Sequence, residues 1–424
     1  MARSPVALPS ETPLYESPEV KDLEAALRPA WVDVDLSALE HNLAAIRGRL
    51  ISGGSDRDDR VKAMAVVKAD GYGHGAVGVS RTLEAAGVDW LGVALLEEGA
   101  EIRRAGVKLP ILVLGTARPA KIALYRRYKL TPTVSSLHEL ALWCDWTASQ
   151  VVPQPVHLKV DTGMGRLGVA PDEVSRALEI LRQHRGLCLA GILSHFGDAD
   201  DLASPRNQAQ EKSFAAVLGQ LTAEERQHAL IHMANSAAAL HLPESRFALV
   251  RLGIAIYGLE PAERPGQPLP PAERTDLRPV MSVKARIVQL REVPAGTAVS
   301  YGGRTVTRRR SRIAVVPVGY ADGYAWRLTG KAEALVREQR VPVVGSVTMD
   351  MTLLDVTDAG AELGDEVVLL GRQGSEEVTA LELATHAGTI PWEILCHLGL
   401  RLPRRYVREG RVEELMSRFS REDS

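Results

Sequence analysis

The first feature that could carry covalent chemistry is a lysine at the end of an apolar segment. The chain has only ten lysines against 41 arginines, and Lys68 follows Ala-Met-Ala-Val-Val and precedes Ala-Asp-Gly-Tyr-Gly-His-Gly. A lysine held out of water has a lowered pKa and can form a Schiff base with a carbonyl group. The glycines would let the following loop approach a ligand closely. Taken alone, the pattern also fits a solvated or ion-paired lysine before an ordinary turn.

Two further polar side chains lie in apolar surroundings. Arg251 interrupts the segment Ala-Leu-Val-Arg-Leu-Gly-Ile, and His195 closes the apolar segment 189–195. A guanidinium in such a segment is often half of a buried ion pair, and a histidine there is often a satisfied core residue. These two residues are therefore candidates for a site only if the fold brings them to Lys68.

Eight strand-like segments, most of them continuous apolar runs, could position these residues. Such runs are typical of parallel strands that are buried on both faces. Helical patterns, such as 172–184 and 206–220, fill most of the gaps between them. We therefore predict an α/β fold with a TIM-type (β/α)8 barrel over 31–262, with a doubly wound open sheet as the alternative. The eight segments are 63–68, 90–95, 111–115, 131–134, 156–161, 189–195, 230–234 and 248–254.

The remainder of the chain reads differently. A strand at 31–36 and a helix at 37–50 precede the eight segments, and a proline-dense stretch at 263–280 indicates an interdomain linker. Residues 281–408 are predicted to form a mainly β domain, with strands at 280–293, 313–318, 341–344, 351–356 and 366–370 and a helix at 380–386. Residues 1–30 are expected to be a mobile extension, and 409–424 a polar tail.

Composition excludes several classes of protein. The 424 residues carry a net charge of −2, so no basic field attracts nucleic acid. The three cysteines, Cys144, Cys188 and Cys396, form no CxxC pair, which argues against a disulfide framework or a metal site and for a reducing compartment. The sequence has no run of about 18 apolar residues, the pattern that would predict a membrane span. Its N-terminus lacks the apolar segment of a signal peptide. We therefore expect a cytoplasmic protein.

The loops after the seventh and eighth predicted strands suit a phosphate group. Asn235 and Ser236 follow the seventh strand, and Gly253 and Ile254 close the eighth. In a TIM-type barrel these two loops are the common phosphate site, and a serine hydroxyl with backbone N–H groups offers donors without bulk. Ser236 could equally be the N-cap of a helix.

The whole segment from Lys68 to Gly75 resembles the cofactor-lysine signature of the alanine racemase family, the fold-type III enzymes that use pyridoxal phosphate. The resemblance covers about residues 31–408, and its motifs follow the family's order. The further motifs are Lys159-Val-Asp-Thr-Gly-Met-Gly-Arg-Leu-Gly168, Ser194-His-Phe196, His232-Met-Ala-Asn-Ser-Ala-Ala238, Val250-Arg-Leu-Gly-Ile-Ala-Ile-Tyr-Gly258, Val299-Ser-Tyr-Gly302, Val318-Gly-Tyr-Ala-Asp-Gly323 and Gly345-Ser-Val-Thr-Met-Asp350.

The resemblance implies roles for the residues near the cofactor. Lys68 would carry pyridoxal phosphate, and Tyr72 would contact its phosphate. Arg251 would face the pyridine nitrogen, which it keeps unprotonated because a guanidinium does not lose its proton. Tyr301, from the other subunit of a homodimer, would be the second base, polarised by His195.

The resemblance also implies a substrate side. Arg166 and the backbone of Met349 would meet the substrate carboxylate, and Tyr320 would line the entrance. Lys159 matches a lysine that is carbamylated in some members, although a simple lysine beside Asp161 is the alternative. Leu400 stands where some members carry a tyrosine that narrows the entrance, so the width of the entrance is an open point.

The resemblance implies a homodimeric, pyridoxal-phosphate-dependent racemase that interconverts L- and D-alanine and supplies D-alanine for peptidoglycan. A racemase for serine or for a broader set of amino acids is the alternative within the same fold. A decarboxylase of this fold would need a cysteine motif in the β domain, which has none between 189 and 395. A non-enzymatic pyridoxal phosphate carrier would lack the second domain. No metal is expected.

Overall fold

The structure is a computed structural model that describes residues 28–51, 61–117, 121–148, 150–264, 266–267 and 269–417. The predicted mobile extension at 1–30 lies outside the described residues except for its last three. Among the described residues, no helix has the length and apolar character needed to span a bilayer.

Eight parallel strands form a barrel, which confirms the predicted fold class. In space they run β8-β7-β6-β5-β4-β3-β2-β9. Hydrogen bonds from Ala248 N to Ile231 O (3.1 Å) and from Arg251 N to Ala234 O (3.0 Å) bring the last strand beside β8, so the barrel is nearly closed. The strands are β2 (Lys62–Val66), β3 (Trp90–Val93), β4 (Ile111–Val113), β5 (Leu130–Val134), β6 (Gln154–Lys159), β7 (Leu187–Leu193), β8 (Leu230–His232) and β9 (Leu249–Leu252).

Helices surround the barrel, and some of them pack against it through a single apolar stripe. In the helix Val174–Gln183 the buried residues Val174, Ala177, Leu178 and Leu181 recur at the i, i+3, i+4, i+7 spacing of a single face. The helices of the barrel region are α1 (Leu36–Ile51), α2 (Lys68–Tyr72), α3 (Ala76–Ala85), α4 (Leu96–Arg104), α5 (Ile122–Arg127), α6 (Leu137–Thr147), α7 (Val174–Gln183), α8 (Pro205–Leu218), α9 (Ala223–His228) and α10 (Ser236–His241).

A second, mainly β region follows residue 280. Its large sheet has the order β11-β14-β17-β16-β15-β18-β10-β1-β20-β21, where β1 is the strand Ala30–Asp35. Strand β19 pairs with β18, and β12 pairs with β13. Helices α11 (Ala380–Ala387) and α12 (Pro391–His397) lie near its end. The strands are β10 (Met281–Arg286), β11 (Gln289–Val293), β12 (Ala298–Val299), β13 (Thr305–Val306), β14 (Ser311–Val316), β15 (Glu333–Val336), β16 (Gln339–Val344), β17 (Thr352–Asp355), β18 (Glu366–Gln373), β19 (Glu376–Val378), β20 (Arg404–Arg408) and β21 (Arg411–Met416).

The first strand of the chain belongs to this second sheet. Strand β1 (Ala30–Asp35) pairs antiparallel with β10 and parallel with β20, so Val32 lies opposite both Val283 and Arg404. The prediction placed this strand within the domain at 31–262, ahead of the eight barrel segments, and named no neighbours for it; in the structure its neighbours belong to the second sheet. Its alternate residues Val32 and Val34 are fully buried, and the burial they need is supplied by strands from the other end of the sequence.

Other predictions for the C-terminal region also need correction. The expected single strand at 280–293 is two strands, β10 and β11, which pair with different neighbours, β18 and β14. Residues 411–416, predicted as part of a polar tail, form β21 at the sheet edge beside β20. Edge strands carry charged residues on their open side, so the charge that suggested a tail is compatible with a strand.

Candidate active site

Lys68 leaves the barrel at the carboxyl end of β2 and is followed by a left-handed turn. Ala69, Asp70 and Tyr72 all have φ of 53°, and Gly71 has φ of 62°. This conformation costs roughly 1–2 kcal/mol for each residue with a side chain. A turn of this kind needs strong external contacts to hold it.

Those contacts come from two carboxylates. Glu98 accepts a hydrogen bond from Ala69 N at 2.7 Å with one oxygen, and its other oxygen accepts from the backbone N–H groups of Ala94 and Leu95 at 2.8 and 3.0 Å. Asp70 accepts from Ala76 N at 2.8 Å. The turn after Lys68 is therefore tied both to the end of β3 and to the start of α3.

A buried histidine closes the same turn from inside. His74 Nδ1 donates to the carbonyls of Gly71 (2.9 Å) and Tyr72 (3.0 Å), and its ring stacks on Tyr257 at 4.4 Å between centroids. Burial lowers the pKa of His74 to about 3, so it stays neutral. The pKa of Lys68 is also lowered, first by burial and then by the charge of Arg166.

The predicted phosphate residues lie together. Ser236 Oγ accepts from Gly253 N at 2.8 Å, and a Cβ atom at Gly253 would lie 2.6 Å from Tyr72 Oη. No described residue accepts a hydrogen bond from the backbone N–H of Ser236 or Ile254. The side chain of Asn235, by contrast, caps α10 by accepting from Ala238 N at 3.1 Å.

Arg251 is buried in the barrel and its guanidinium is held by five acceptors. Nη1 donates to His232 Nδ1 (2.9 Å) and to the His232 carbonyl (3.2 Å). Nη2 donates to the carbonyls of Ser194 (2.7 Å) and Met233 (3.0 Å) and to His195 Nδ1 (3.0 Å). Burial lowers the pKa of Arg251 to about 10, so it remains charged at neutral pH.

One donor of this guanidinium is left over. No described residue accepts a hydrogen bond from Arg251 Nε, although the other two nitrogens are saturated. His195, whose Nδ1 accepts from Arg251, must carry its own proton on Nε2. Burial and then the charge of Arg251 keep its pKa well below the ordinary value.

Lys159 and Arg166 lie on the neighbouring β6 side. Burial, then Arg166 and Arg251, lower the pKa of Lys159 to about 8, although Asp161 opposes the shift. Asp161 organises the loop to Arg166, because its carboxylate accepts from four backbone N–H groups between 163 and 166 at 2.8–3.1 Å. The side chain of Arg166 is exposed.

The candidate residues of the β region form a separate group, which we name the β-domain cluster: Tyr301, Tyr320 and Met349. They surround the loop 345–350, because Ser346 Oγ donates to the Tyr301 carbonyl (3.1 Å) and Tyr320 N donates to the Thr348 carbonyl (3.0 Å). Their exposed fractions are 76%, 45% and 53%. No described group bonds the Tyr301 hydroxyl or accepts from the Met349 N–H.

The structure thus brings Lys68, Tyr72, Ser236, Gly253 and Ile254 to the strand ends of the barrel, with the remaining barrel candidates beside them. It places the β-domain cluster in its own group. Leu400 is half-buried between Gly399 and Arg401, and Arg401 binds Asp350 at 2.7 Å.

Sequence reasoning missed four residues that hold the site: Glu98, His74, His157 and His232. The two barrel histidines had a visible signal, since each lies in a strand among apolar residues. His74 and Glu98 act on backbone groups, and a sequence gives no sign of such contacts.

Comparisons with known proteins match both regions of the chain. The family model described as "Alanine racemase, N-terminal domain" matches residues 34–261, and "Alanine racemase, C-terminal domain" matches 280–406. An alanine racemase of Halothermothrix orenii is 41% identical over 381 residues, which are 89% of this chain and 97% of that protein.

Two solved structures are similar over nearly their whole length. The alanine racemase of Bacillus anthracis with bound L-Ala-P has a TM-score of 0.83 and 34% identity, covering 93% of this chain and 99% of its own. The alanine racemase of Bartonella henselae with covalently bound pyridoxal phosphate has a TM-score of 0.78 and 28% identity, covering 89% and 99%.

Fold, site and comparisons together define an amino-acid isomerase built on an α/β barrel with a β C-terminal region. The chain belongs to the alanine racemase family, and its activity is alanine racemisation.

Proposed function

We propose that the chain works as a homodimer that holds pyridoxal phosphate at the barrel's strand ends and moves protons with two bases, Lys68 and Tyr301 of the partner subunit. The observation that carries the proposal concerns the buried guanidinium of Arg251. Its two Nη atoms are saturated with acceptors, whereas its Nε–H has no acceptor among the described residues. This guanidinium shares the carboxyl end of the barrel with an amine whose pKa burial has lowered.

The residues present fit pyridoxal phosphate. Arg251 Nε lacks an acceptor, and a pyridine nitrogen is an acceptor of the right kind. The unpaired N–H groups of Ser236 and Ile254 suit phosphate oxygens, as does the hydroxyl of Tyr72. Lys68 would hold the aldehyde end of the cofactor, and the absence of a side chain at Gly253 leaves room for the phosphate.

The bound cofactor supplies an electron-withdrawing ring linked to the substrate's α-carbon. Arg251 would limit that withdrawal, because at neutral pH its charged guanidinium would donate a hydrogen bond to the ring nitrogen without transferring its proton. A weaker electron sink favours return of the proton to the α-carbon over transamination.

Racemisation needs a proton acceptor on each face of the α-carbon. The lowered pKa of Lys68 increases the fraction of its amine that is neutral and able to accept a proton. Tyr301 is exposed in its own chain, which suits a residue that reaches a neighbouring subunit. The Nε2–H of His195 is available to donate to the Tyr301 oxygen and to stabilise its deprotonated form.

The substrate carboxylate would be held from two sides. Arg166 offers a guanidinium fork, and the free N–H of Met349 offers a second donor. Tyr320 would line the entrance beside Met349. Carbamylation of Lys159 needs a neutral amine, which its pKa of about 8 supplies, and the resulting anion would orient Arg166.

The product D-alanine would serve peptidoglycan synthesis in the cytoplasm. Rates of racemisation of alanine, serine, lysine and arginine, measured by chiral chromatography, test the substrate part of the proposal. Alanine should be the fastest substrate. A purified enzyme loaded with pyridoxal phosphate that leaves L-alanine unchanged would overturn it.

Subunit mixing tests the shared site. The inactive variants Lys68→Ala and Tyr301→Ala are mixed in equal amounts under conditions that exchange subunits. In a mixed dimer one site carries both lesions and the other carries neither, so about a quarter of wild-type activity should return if sites act independently.

The matched control mixes Lys68→Ala with Arg251→Glu. Both lesions lie in the barrel, so every site of a mixed dimer keeps one lesion and no activity should return. Recovery in the first mixture alone supports the shared site. No recovery in either mixture, with exchange demonstrated by mass spectrometry, would place Tyr301 in its own subunit's site.

A further inference from the structure

A chain of hydrogen bonds continues behind Arg251. His232 Nδ1 accepts from Arg251 Nη1 at 2.9 Å, and His232 Nε2 lies 2.9 Å from His157 Nδ1. Both histidines and the guanidinium are buried in the barrel interior, at 0%, 0% and 4% exposure. His157 is therefore two hydrogen bonds away from the proposed cofactor contact.

The direction of every bond in this chain is fixed. A guanidinium can only donate, so His232 Nδ1 must be a bare acceptor and the neutral ring must carry its proton on Nε2. That proton points at His157 Nδ1, which must also accept. His157 then carries its proton on Nε2, an atom that has no hydrogen-bond partner among the described residues.

The charges around the chain agree with neutral rings. Burial and then the charge of Arg251 lower the pKa of both His157 and His232, to about 3 for His157. A proton on His157 Nδ1 would also oppose the proton on His232 Nε2. Only one tautomer of each ring satisfies all three groups.

The strands around His157 are built to admit its ring. The pairing of β6 with β7 shifts register after Val156, so that Gly191 lies opposite His157. A Cβ atom at Gly191 would lie 2.5 Å from His157 Cε1. The local irregularity and the missing side chain both provide space for the imidazole.

We propose that His157 is a positioning residue for Arg251. By accepting from His232 Nε2 it selects the His232 tautomer whose Nδ1 accepts from Arg251. Without His157, the Nε2 proton of His232 has no acceptor among the described residues of the buried interior, so the tautomer that Arg251 requires loses part of its stabilisation. The ring with its proton on Nδ1, which would confront Arg251 Nη1 and turn the guanidinium, then becomes accessible. The inference rests on the proposed contact of Arg251 with the pyridine ring for its effect on the reaction, but the tautomer itself does not depend on that contact.

The first test uses the cofactor-free full-length protein labelled with ¹⁵N-histidine, with the His232 signals identified by their loss in His232→Gln. The wild-type His232 ring should show a bare Nδ1 and a protonated Nε2. His157→Leu should mix or reverse this pattern. His157→Asn should keep it, because the asparagine oxygen lies near the position of Nδ1 and accepts the same proton.

The matched control is Thr133→Val. Thr133 lies opposite His157 on the neighbouring strand β5, and its hydroxyl is buried without a partner. The substitution removes a polar group from the same layer of the barrel without touching the chain. It should leave the His232 ring pattern unchanged.

The second test uses the enzyme loaded with pyridoxal phosphate. His157→Leu should raise the number of transamination events per racemisation by about tenfold, the effect of losing one buried hydrogen bond, with an accompanying change in the absorbance of the bound cofactor. His157→Asn should restore the wild-type ratio, which a purely structural role of the ring would not require.

Two results would overturn the inference. One is a wild-type His232 protonated on Nδ1 in the cofactor-free protein. The other is a folded His157→Leu protein in which both the ring pattern and the transamination ratio match wild type. An altered ring pattern with an unaltered ratio would instead contradict the proposed contact between Arg251 and the cofactor, so the two failures are distinguishable. If His157→Leu does not fold, the wild-type spectrum and His157→Asn still decide the matter.

Discussion

The barrel end and the β-domain cluster handle their polar groups in opposite ways. In the barrel, Arg251 and Tyr72 are 4% and 7% exposed, and both Nη atoms of Arg251 donate to acceptors of the same chain. In the β-domain cluster, Tyr301 and Met349 are 76% and 53% exposed, and the Tyr301 hydroxyl binds no described group. One region is complete within a single chain, whereas the other presents side chains outward.

The cluster is nevertheless not loose. Ser300, which precedes Tyr301, has φ of 61°, and its hydroxyl donates to the Ser346 carbonyl at 3.0 Å. The backbone is thus fixed, whereas the side chains of Tyr301 and Met349 remain exposed. A rigid backbone with free side chains suits groups that act on a neighbouring subunit, and a saturated interior suits groups that hold a cofactor.

The largest effect should come from the barrel. Lys68→Ala removes both the covalent attachment and one base, so kcat should fall by more than about 10⁴-fold, and borohydride should no longer fix pyridoxal phosphate to the protein. Lys62→Ala, at the exposed start of the same strand, is the control and should keep full activity. Substantial racemase activity in Lys68→Ala would contradict the proposed catalytic role of Lys68 at the barrel end.

The next effect should come from the cluster and should differ in kind. Tyr301→Phe should lower kcat by about 10²–10³-fold, the usual contribution of one acid–base group. Because the side chain is exposed, pyridoxal phosphate affinity and the free energy of unfolding should stay as in wild type. Tyr128→Phe, a half-exposed tyrosine of the barrel, is the control. A large loss of cofactor affinity in Tyr301→Phe would contradict the proposal that the barrel binds the cofactor while Tyr301 only transfers protons.

A smaller effect should follow from adding a side chain at Gly253, beside the predicted phosphate residues. In Gly253→Ala the new Cβ would lie 2.6 Å from Tyr72 Oη, so the tyrosine must move, and affinity for pyridoxal phosphate should fall by about tenfold. Titration of cofactor-free protein measures this. Gly48→Ala, where no atom lies within 4 Å of the new Cβ, is the control. An unchanged dissociation constant for pyridoxal phosphate would contradict the predicted contact between Tyr72 and the phosphate.

The smallest effect concerns pH and stability. The pKa of Lys159 is about 8 in the folded chain and about 10.4 when unfolded. Between these values the unfolded chain binds more protons, so stability rises with pH. Below pH 8 the folded protein must hold a charged lysine in a partly desolvated place, and this lowers its free energy of unfolding. Lys159→Met removes that charge and should stabilise the protein by about 1–3 kcal/mol below pH 8.

Urea unfolding in carbon-dioxide-free buffer checks this prediction. The advantage of the methionine variant should shrink as the pH rises from 8 towards 10. The exposed Lys62→Met is the control and should show no pH-dependent difference. A constant difference between wild type and Lys159→Met at pH 7 and pH 10 would contradict the lowered pKa.

The barrel was predictable because its strands carry their own signal. Most are short apolar runs bounded by polar residues, and all eight predicted segments overlap a strand of the barrel. The β1 strand instead alternates valine and aspartate, and its partners Val283 and Arg404 lie far along the sequence. Pairing between distant segments is not encoded in the local pattern, so the sheet to which β1 belongs was not predicted.

The site was predictable only where a residue type is unusual for its place. Lys68 and Arg251 stand out in apolar segments, and the family resemblance supplies the roles proposed for them. Glu98 does not stand out, because charged residues are ordinary in helices. His157 stands out among apolar residues, but its place in the site depends on a register shift beside Gly191, which no residue pattern indicates. Supporting contacts were therefore missed more often than the candidate groups themselves.

The position of β1 has a consequence for synthesis. This strand is translated before the rest of its sheet, and β20, one of its two neighbours, follows only after the whole barrel, since Val32 pairs with Arg404. At about 5–20 residues per second, its apolar side chains wait on the order of tens of seconds for this neighbour. A nascent chain therefore keeps an incompletely paired strand while the barrel assembles, and chaperone binding and off-pathway association should both concentrate there.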